Sequence, residues 1–122
     1  MPMLYEELTQ KILEACFEVI HELGAGFLES VYQNALLIVL RQKGLKAEGN
    51  VPLSVCFRGE VVGKFYADIL VEEKIIVELK AVTMLAPEHK AQVINYLKAT
   101  GIEVGLLVNF GHPKLEYRRL HS

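Results

Sequence analysis

The 122-residue sequence has no tryptophan, only two cysteines and no long apolar run. The longest uncharged apolar-rich stretch, Ser30 to Leu40, is far shorter than the roughly 20 residues that a transmembrane helix needs. The cysteines, Cys16 and Cys56, stand far apart in apolar settings, so we expect buried free thiols and no disulfide or zinc site. The N-terminus lacks the pattern of a secretory signal. These absences predict a cytoplasmic protein with no membrane contact.

An excess of positive charge is also missing. The chain has 13 Lys and Arg against 15 Asp and Glu, a net charge of −2 and a pI of about 6.1. This balance excludes the strongly basic surface of a protein that binds nucleic acid tightly and without specificity. A local basic patch, for example Lys114, Arg118 and Arg119, is still compatible with weaker nucleic-acid contact.

Apolar residues, in contrast, are abundant. They make up 52% of the chain, and the mean hydropathy is +0.27. A chain of this length predicts one domain, residues 1–122, that buries roughly two-thirds of its unfolded surface. The apolar content is high for so small a monomer, so we expect a well-filled core and a homo-oligomer.

Helical and strand-like segments follow one another without a linker, a repeat or a low-complexity stretch. Apolar residues at three- and four-residue steps predict helices, and β-branched or aromatic runs between turn residues predict strands. This order is typical of an α/β or α+β fold with a mixed sheet flanked by helices. The predicted helices are Leu4–Leu23, Leu28–Lys43 and Ala86–Thr100, and the predicted strands are Val51–Phe57, Val61–Val71, Ile75–Val82, Glu103–Phe110 and Leu115–Leu120.

A strand–loop–strand pattern runs from Lys64 to Val82. The polar triplet Glu72–Lys74 separates two strand-like runs and predicts a hairpin loop. A three-residue loop pairs Val71 with Ile75, and this pairing fixes the register of the whole hairpin. Side chains alternate along a strand, so one face of the first strand is predicted to carry Phe65, Ala67, Ile69 and Val71.

Charged groups on this hairpin then fall opposite one another. The register sets Asp68 across from Glu78, with Cβ atoms roughly 4.5–5.5 Å apart, and Tyr66 across from Lys80. Two opposed carboxylates destabilise a sheet, so a cation must offset them. A divalent metal is one candidate, and Lys80 is the other. A solvated sheet face with ordinary surface charge explains the same residues, and the hairpin pattern alone leaves both explanations open.

Two helices carry further polar residues. Glu29 lies in the first turn of the second helix, with Tyr32 and Gln33 on the same side. A carboxylate there also complements the helix dipole. In the third helix Gln92 and Tyr96 are four residues apart and share a face. Gln and Tyr at this spacing are often hydrogen-bonded parts of a core, so a structural role is the alternative for Gln92 and Tyr96, as charge complementarity is for Glu29.

The residues named so far resemble three motifs of one superfamily. Gly26, Glu29 and Tyr32 resemble the signature of the GxxExxY family. Asp68 followed by Glu78-Leu79-Lys80 is similar to the D…ExK core of the PD-(D/E)XK nucleases, although no proline precedes the aspartate. The third motif, Gln92 to Tyr96, resembles the QxxxY motif of the RecB-type members.

This resemblance implies a restriction-endonuclease-like αβββαβ core and metal-dependent hydrolysis of DNA. It implies that Glu29, Asp68 and Glu78 bind Mg²⁺ or Mn²⁺. Lys80 would stabilise the phosphate and orient the attacking water. The residues implied to line the site are Tyr32, Gln92 and Tyr96. The alternative function is a non-catalytic, oligomeric binding module that has kept the nuclease fold.

Overall fold

A computed structural model describes residues 5–122, which form three helices and one five-stranded sheet. The helices are α1 (Glu6–Leu23), α2 (Glu29–Gln42) and α3 (Pro87–Thr100). The strands are β1 (Ala47–Phe57), β2 (Glu60–Val71), β3 (Ile75–Lys80), β4 (Val104–Asn109) and β5 (Glu116–His121). The predicted start of the first helix, Leu4, lies outside the described residues.

The sheet is mixed, with the strands in chain order from β1 to β5. β1, β2 and β3 form antiparallel pairs, β3 and β4 are parallel, and β5 returns antiparallel to β4. The parallel pair needs a crossover, which α3 supplies. The run from α2 to β4 is therefore the predicted αβββαβ core, with α1 added before it and β5 after it.

Helices cover both faces of the sheet. α1 and α2 pack on one face through buried residues that include Ile12, Cys16 and Leu36. On the other face, α3 packs through Val93 and Leu97. β3 and β4 lie between these two layers, which explains why Ile75–Leu79 and Val104–Asn109 are buried at every position.

The predicted register of the central hairpin is confirmed. Val71 pairs with Ile75, and the ladder continues through Ile69 and Val77. The loop backbone turns at Glu72 and Glu73, which both have positive φ. Elsewhere the element bounds differ from the predictions by one or two residues. The exception is β1, which begins at Ala47 because pairing with β2 extends the strand through two residues of low strand propensity, Gly49 and Asn50.

The prediction that Phe65, Ala67, Ile69 and Val71 share a face is wrong. Ile69 and Val71 belong to the α1/α2 cluster, whereas Ala67 belongs to the α3 cluster. The strand changes faces at Asp68, opposite Asn50, whose φ of 51° interrupts the regular alternation of β1.

The predicted pairing of Tyr66 with Lys80 is also wrong. The β2–β3 ladder ends at Ile69 and Val77, and Tyr66 pairs with Pro52 of β1.

The cysteines are partly as predicted. Both are free thiols, but only Cys16 is buried. Cys56 is exposed because it lies near the tip of the β1–β2 hairpin, beyond the last residues that the helices cover. Within residues 5–122, no helix is long and apolar enough to span a membrane.

Candidate active site on the central hairpin

Asp68 and Glu78 are joined by an interlocking pair of hydrogen bonds. The backbone N–H of Asp68 donates to Glu78 Oε1 at 3.1 Å, and the backbone N–H of Leu79 donates to Asp68 Oδ2 at 2.8 Å. These carboxylates replace backbone partners just beyond the point where the β2–β3 ladder ends. The two strands therefore separate here, and the gap holds two acidic side chains side by side.

The environment of Glu78 disfavours its charged form. The residue is only 5% exposed. Burial, and then repulsion from Asp68, raise the pKa of Glu78 from its ordinary 4.5 to about 8, and Lys80 offsets only a part of this effect. The Glu78 carboxyl group therefore lies where its ionised form is disfavoured.

Lys80 and α3 border this pair. Lys80 lies two residues after Glu78 on β3, and its Nζ donates to Gln92 Oε1 on α3 at 3.4 Å. The pKa of Tyr96 is raised, first by burial and then by the negative charges of Glu78 and Asp68, and a side-chain hydrogen bond from Gln92 opposes this shift. The predicted residues of β2, β3 and α3 therefore come together in one place.

An aromatic contact holds β2 against α3 beside the site. The rings of Phe65 and Tyr96 stack with centroids 3.7 Å apart and planes 11° from parallel. Phe65 reaches α3 because β2 changes faces at Asp68. The same irregularity thus brings Tyr96 next to the two carboxylates.

Glu29 is not gathered into this group. It is exposed at the first position of α2. Among residues 5–122, no three His, Cys, Asp or Glu side chains stand close enough together to hold a metal ion. One turn further along the same face of α2, however, Gln33 Nε2 donates to the backbone oxygen of Asp68 at 2.8 Å. Glu29 therefore lies on the same face of α2 as Gln33, which contacts Asp68.

Tyr32 has a structural place and does not line the site. Its side chain is fully buried and stacks on Phe110, with ring centroids 4.8 Å apart. Its hydroxyl donates to the oxygen of Gly24 at 2.6 Å and accepts the N–H of Phe27 at 3.2 Å. These bonds fix the turn before α2, where Gly26 has a φ of 111° that favours glycine. The predicted role of Tyr32 was wrong because sequence spacing does not reveal which side chains the core encloses.

Nearly the whole chain is similar to a known superfamily. The sequence pattern of the PD-(D/E)XK nuclease superfamily matches residues 6–120. The chain belongs to that superfamily. Asp68, Glu78 and Lys80 provide the D…ExK spacing on the expected hairpin. The superfamily is named for nucleases, whose substrates are nucleic acids. Divalent metals such as Mg²⁺ are the usual cofactors of these enzymes.

A solved structure described as "Crystal structure of SSO0001" has the same fold, with a TM-score of 0.62 and 21% sequence identity. The match covers 97% of this chain and 60% of that one, so the present chain spans about three-fifths of the other protein. At this identity the likeness shows the fold alone. No curated protein matches the sequence.

Proposed function

We propose that this PD-(D/E)XK protein is a metal-dependent nuclease that hydrolyses phosphodiester bonds of DNA. The observation that supports the proposal best is the pair of Asp68 and Glu78, which share a gap between two strands beside Lys80. Two neighbouring carboxyl groups, one of them buried, lower the stability of the fold. A cation bound between them would offset this loss.

The donor set of this pair suits Mg²⁺ or Mn²⁺. Both ions prefer oxygen ligands, and Mg²⁺ is usually held by one or two carboxylates together with water and substrate phosphate. One oxygen of each carboxylate is oriented by a backbone N–H, which fixes the pair before any ion arrives. We propose Asp68 and Glu78 as the primary ligands. When bound, a divalent ion would supply charge neutralisation at the phosphate and a more acidic water.

Glu29 is proposed as the third carboxylate of the site. Its side chain is exposed at the N-terminal end of α2, one turn from the contact between Gln33 and Asp68. Within residues 5–122 the three carboxylates are not assembled.

Lys80 and the two α3 residues receive distinct roles. Lys80 places an ammonium group beside the pair, where it would stabilise charge that develops on the phosphate and orient the attacking water. Gln92 accepts a hydrogen bond from Lys80 and so holds the ammonium in place. Tyr96, fixed by its stack on Phe65, offers a hydroxyl at the edge of the site.

The alternative is a binding module that has kept the fold and lost catalysis. Exposed apolar side chains at the β1–β2 hairpin tip favour it, since Phe57, Val61 and Val62 are each more than half exposed. The complete D…ExK set favours catalysis. The homo-oligomeric state, the cytoplasmic location and the narrower GxxExxY assignment stay predictions.

A cleavage assay tests the proposed function. Wild-type protein, Asp68→Asn and Lys80→Ala are incubated with single- and double-stranded DNA in Mn²⁺ or Mg²⁺. We expect wild-type cleavage and a loss of roughly a hundredfold or more in both variants, because each removes an electrostatic group that acts on the phosphate.

Lys98→Ala, an exposed lysine on the same helix as Gln92, is the matched control and should cleave like the wild type. Cleavage that survives in Lys80→Ala would identify a contaminating nuclease. If DNA stays intact and the wild type binds no Mn²⁺, the binding-module alternative replaces the proposal.

A further inference from the structure

Gln33 of α2 forms hydrogen bonds with both strands of the β1–β2 hairpin, with Asn50 on β1 and with Asp68 on β2. Its Nε2 donates to the backbone oxygen of Asp68 at 2.8 Å and to Asn50 Oδ1 at 3.0 Å. Asn50 stands opposite Asp68, because Gly49 pairs with Ile69 and Val51 pairs with Ala67 on either side. One side-chain amide thus spans both strands at the position of the aspartate.

The neighbouring glycine permits this close approach of the helix. A Cβ at Gly49 would lie 2.9 Å from Leu37 Cδ1 and 3.5 Å from Gln33 Nε2. The first distance is shorter than real Cβ contacts allow, so a larger residue would have to displace the tip of the Leu37 side chain. Gly49 therefore leaves room for the Leu37 and Gln33 side chains of α2 beside Asp68.

Asp68 is consequently held from three directions. Gln33 binds its carbonyl, Glu78 accepts its N–H, and the N–H of Leu79 binds its carboxylate. This is also the residue at which β2 changes faces, and Asn50 across from it adopts a positive φ. An irregular backbone keeps one conformation only where its surroundings fix it.

We propose that Gln33 is a positioning residue: it fixes the irregular backbone at Asp68 and thereby sets the direction of the Asp68 carboxylate. The link to metal binding rests on the proposed function. The link to backbone order does not, because it concerns contacts of the chain with itself. Partners of this kind typically change metal affinity or activity by tenfold to a hundredfold when they are removed.

The test uses Gln33→Met, which keeps the length of the side chain and removes both hydrogen bonds. In the metal-free protein, NMR hydrogen exchange is measured at the N–H groups of Asp68 and Leu79 and compared with Leu106 in β4. We expect exchange at the first two to rise at least about tenfold relative to Leu106, because Gln33 fixes the backbone that carries the Asp68 N–H and places the carboxylate that accepts the Leu79 N–H. In Mn²⁺ titrations, Kd should rise at least about tenfold.

Gln42→Met, an exposed glutamine at the end of the same helix, is the matched control and should change neither readout. If Gln33→Met does not fold, Asn50→Gly replaces it. Glycine tolerates the positive φ and removes only the Oδ1 acceptor, so the same two N–H groups should exchange faster, by a smaller factor.

The outcomes separate the two proposals. Wild-type protein that binds no Mn²⁺ overturns the proposed function, and hydrogen exchange still decides the role of Gln33. Unchanged exchange at both N–H groups in the folded variant overturns the positioning role. Unchanged Mn²⁺ affinity in a variant of a metal-binding wild type overturns it as well.

Discussion

The sheet contains two polar clusters with opposite electrostatics, each with one buried polar side chain, Glu78 in the first and Asn109 in the second. Each includes a glutamate that accepts a backbone N–H, Glu78 in the first and Glu116 in the second. Burial and a neighbouring carboxylate raise the pKa of Glu78 to about 8. The N–H of Leu85 and the amide of Asn109 lower the pKa of Glu116.

The second cluster, which we call the Asn109 cluster, is held by hydrogen bonds of the Asn109 side chain to neighbouring residues. Asn109 is fully buried, and its Oδ1 accepts the N–H groups of Val82 and Gly111. Its Nδ2 donates to the oxygen of Val82 at 2.9 Å and to Glu116 Oε1 at 3.2 Å. These bonds tie β4 to the segment that follows Lys80 and stabilise the charged form of Glu116, so this cluster stabilises the fold.

The Asn109 cluster has a structural role, whereas the pair of Asp68 and Glu78 is a candidate site. Burial and hydrogen bonding occur in both, so neither property identifies function. What distinguishes the first cluster is that burial and Asp68 disfavour the charged form of Glu78, beside Lys80, whereas the bonds of the second cluster favour the charged form of Glu116. A carboxyl group whose charged form is disfavoured beside another carboxylate is the feature that points to a bound cation.

The largest expected effect concerns Glu78 and pH. Its folded-state pKa of about 8 exceeds the ordinary 4.5 of an unfolded chain, so the folded protein holds an extra proton between these values. The stability that this proton provides is complete below about pH 4.5 and is lost as the pH rises through 8. At pH 9 without metal, Glu78→Gln should therefore raise the free energy of unfolding by on the order of 4 kcal/mol in urea titrations.

Glu116→Gln is the matched control with the opposite sign. Because the folded-state pKa of Glu116 lies below 4.5, its charge stabilises the protein above that pH, and the variant should lose stability at pH 9. A Glu78→Gln variant that is less stable than the wild type at pH 9 would contradict the assigned environment.

Asn109→Ala should have the next largest effect. The change leaves the N–H and oxygen of Val82 and the N–H of Gly111 without their partner, so we expect a loss of about 3 kcal/mol in the same urea titrations. Asn34→Ala, at an exposed position of α2, is the control and should lie within about 0.5 kcal/mol of the wild type. The folded variant should still bind Mn²⁺. Loss of binding by a variant as stable as the wild type would show that Asn109 also belongs to the metal site.

Tyr32→Phe tests the structural place of Tyr32. It removes the hydroxyl that bonds Gly24 and Phe27 and keeps the stack on Phe110, so stability should fall by about 1.5 kcal/mol. Calorimetric Mn²⁺ affinity should be unchanged. A stable variant with weakened Mn²⁺ binding would restore Tyr32 to the site.

Tyr96→Phe should have the smallest effect. The stack on Phe65 remains, so stability should change by less than about 0.5 kcal/mol. Loss of one hydroxyl at the site should lower DNA cleavage about fivefold, as the loss of one hydrogen bond does. Tyr117→Phe on β5 serves as the control and should leave cleavage unchanged, whereas an equal loss in both variants would remove Tyr96 from the site.

The sequence was sufficient to predict the hairpin, because the number of loop residues determines register. Val71 pairs with Ile75 as predicted, and from this pairing Asp68 and Glu78 became neighbours. Their chemistry was also visible in the ExK spacing, since alternate residues of a strand share a face.

Two features in and around the site could not be predicted, because they depend on contacts between distant segments. β2 changes faces at Asp68, where Gln33 contacts the backbone and Asn50 adopts a positive φ. Tyr32 is enclosed by Phe110, which is far away in the chain. A period-two or period-3.6 pattern contains no information about either contact. A glycine and an asparagine in succession, Gly49 and Asn50, were the one sequence signal of an irregular strand.

A calorimetric titration with Mn²⁺ tests the central claim most directly. We predict that the wild type binds one or more ions through Asp68 and Glu78, that Asp68→Asn abolishes the binding heat, and that Glu116→Gln preserves it. Absence of binding to the folded wild type at millimolar Mn²⁺, or equal binding by Asp68→Asn, would contradict the claim that this carboxylate pair is a metal site.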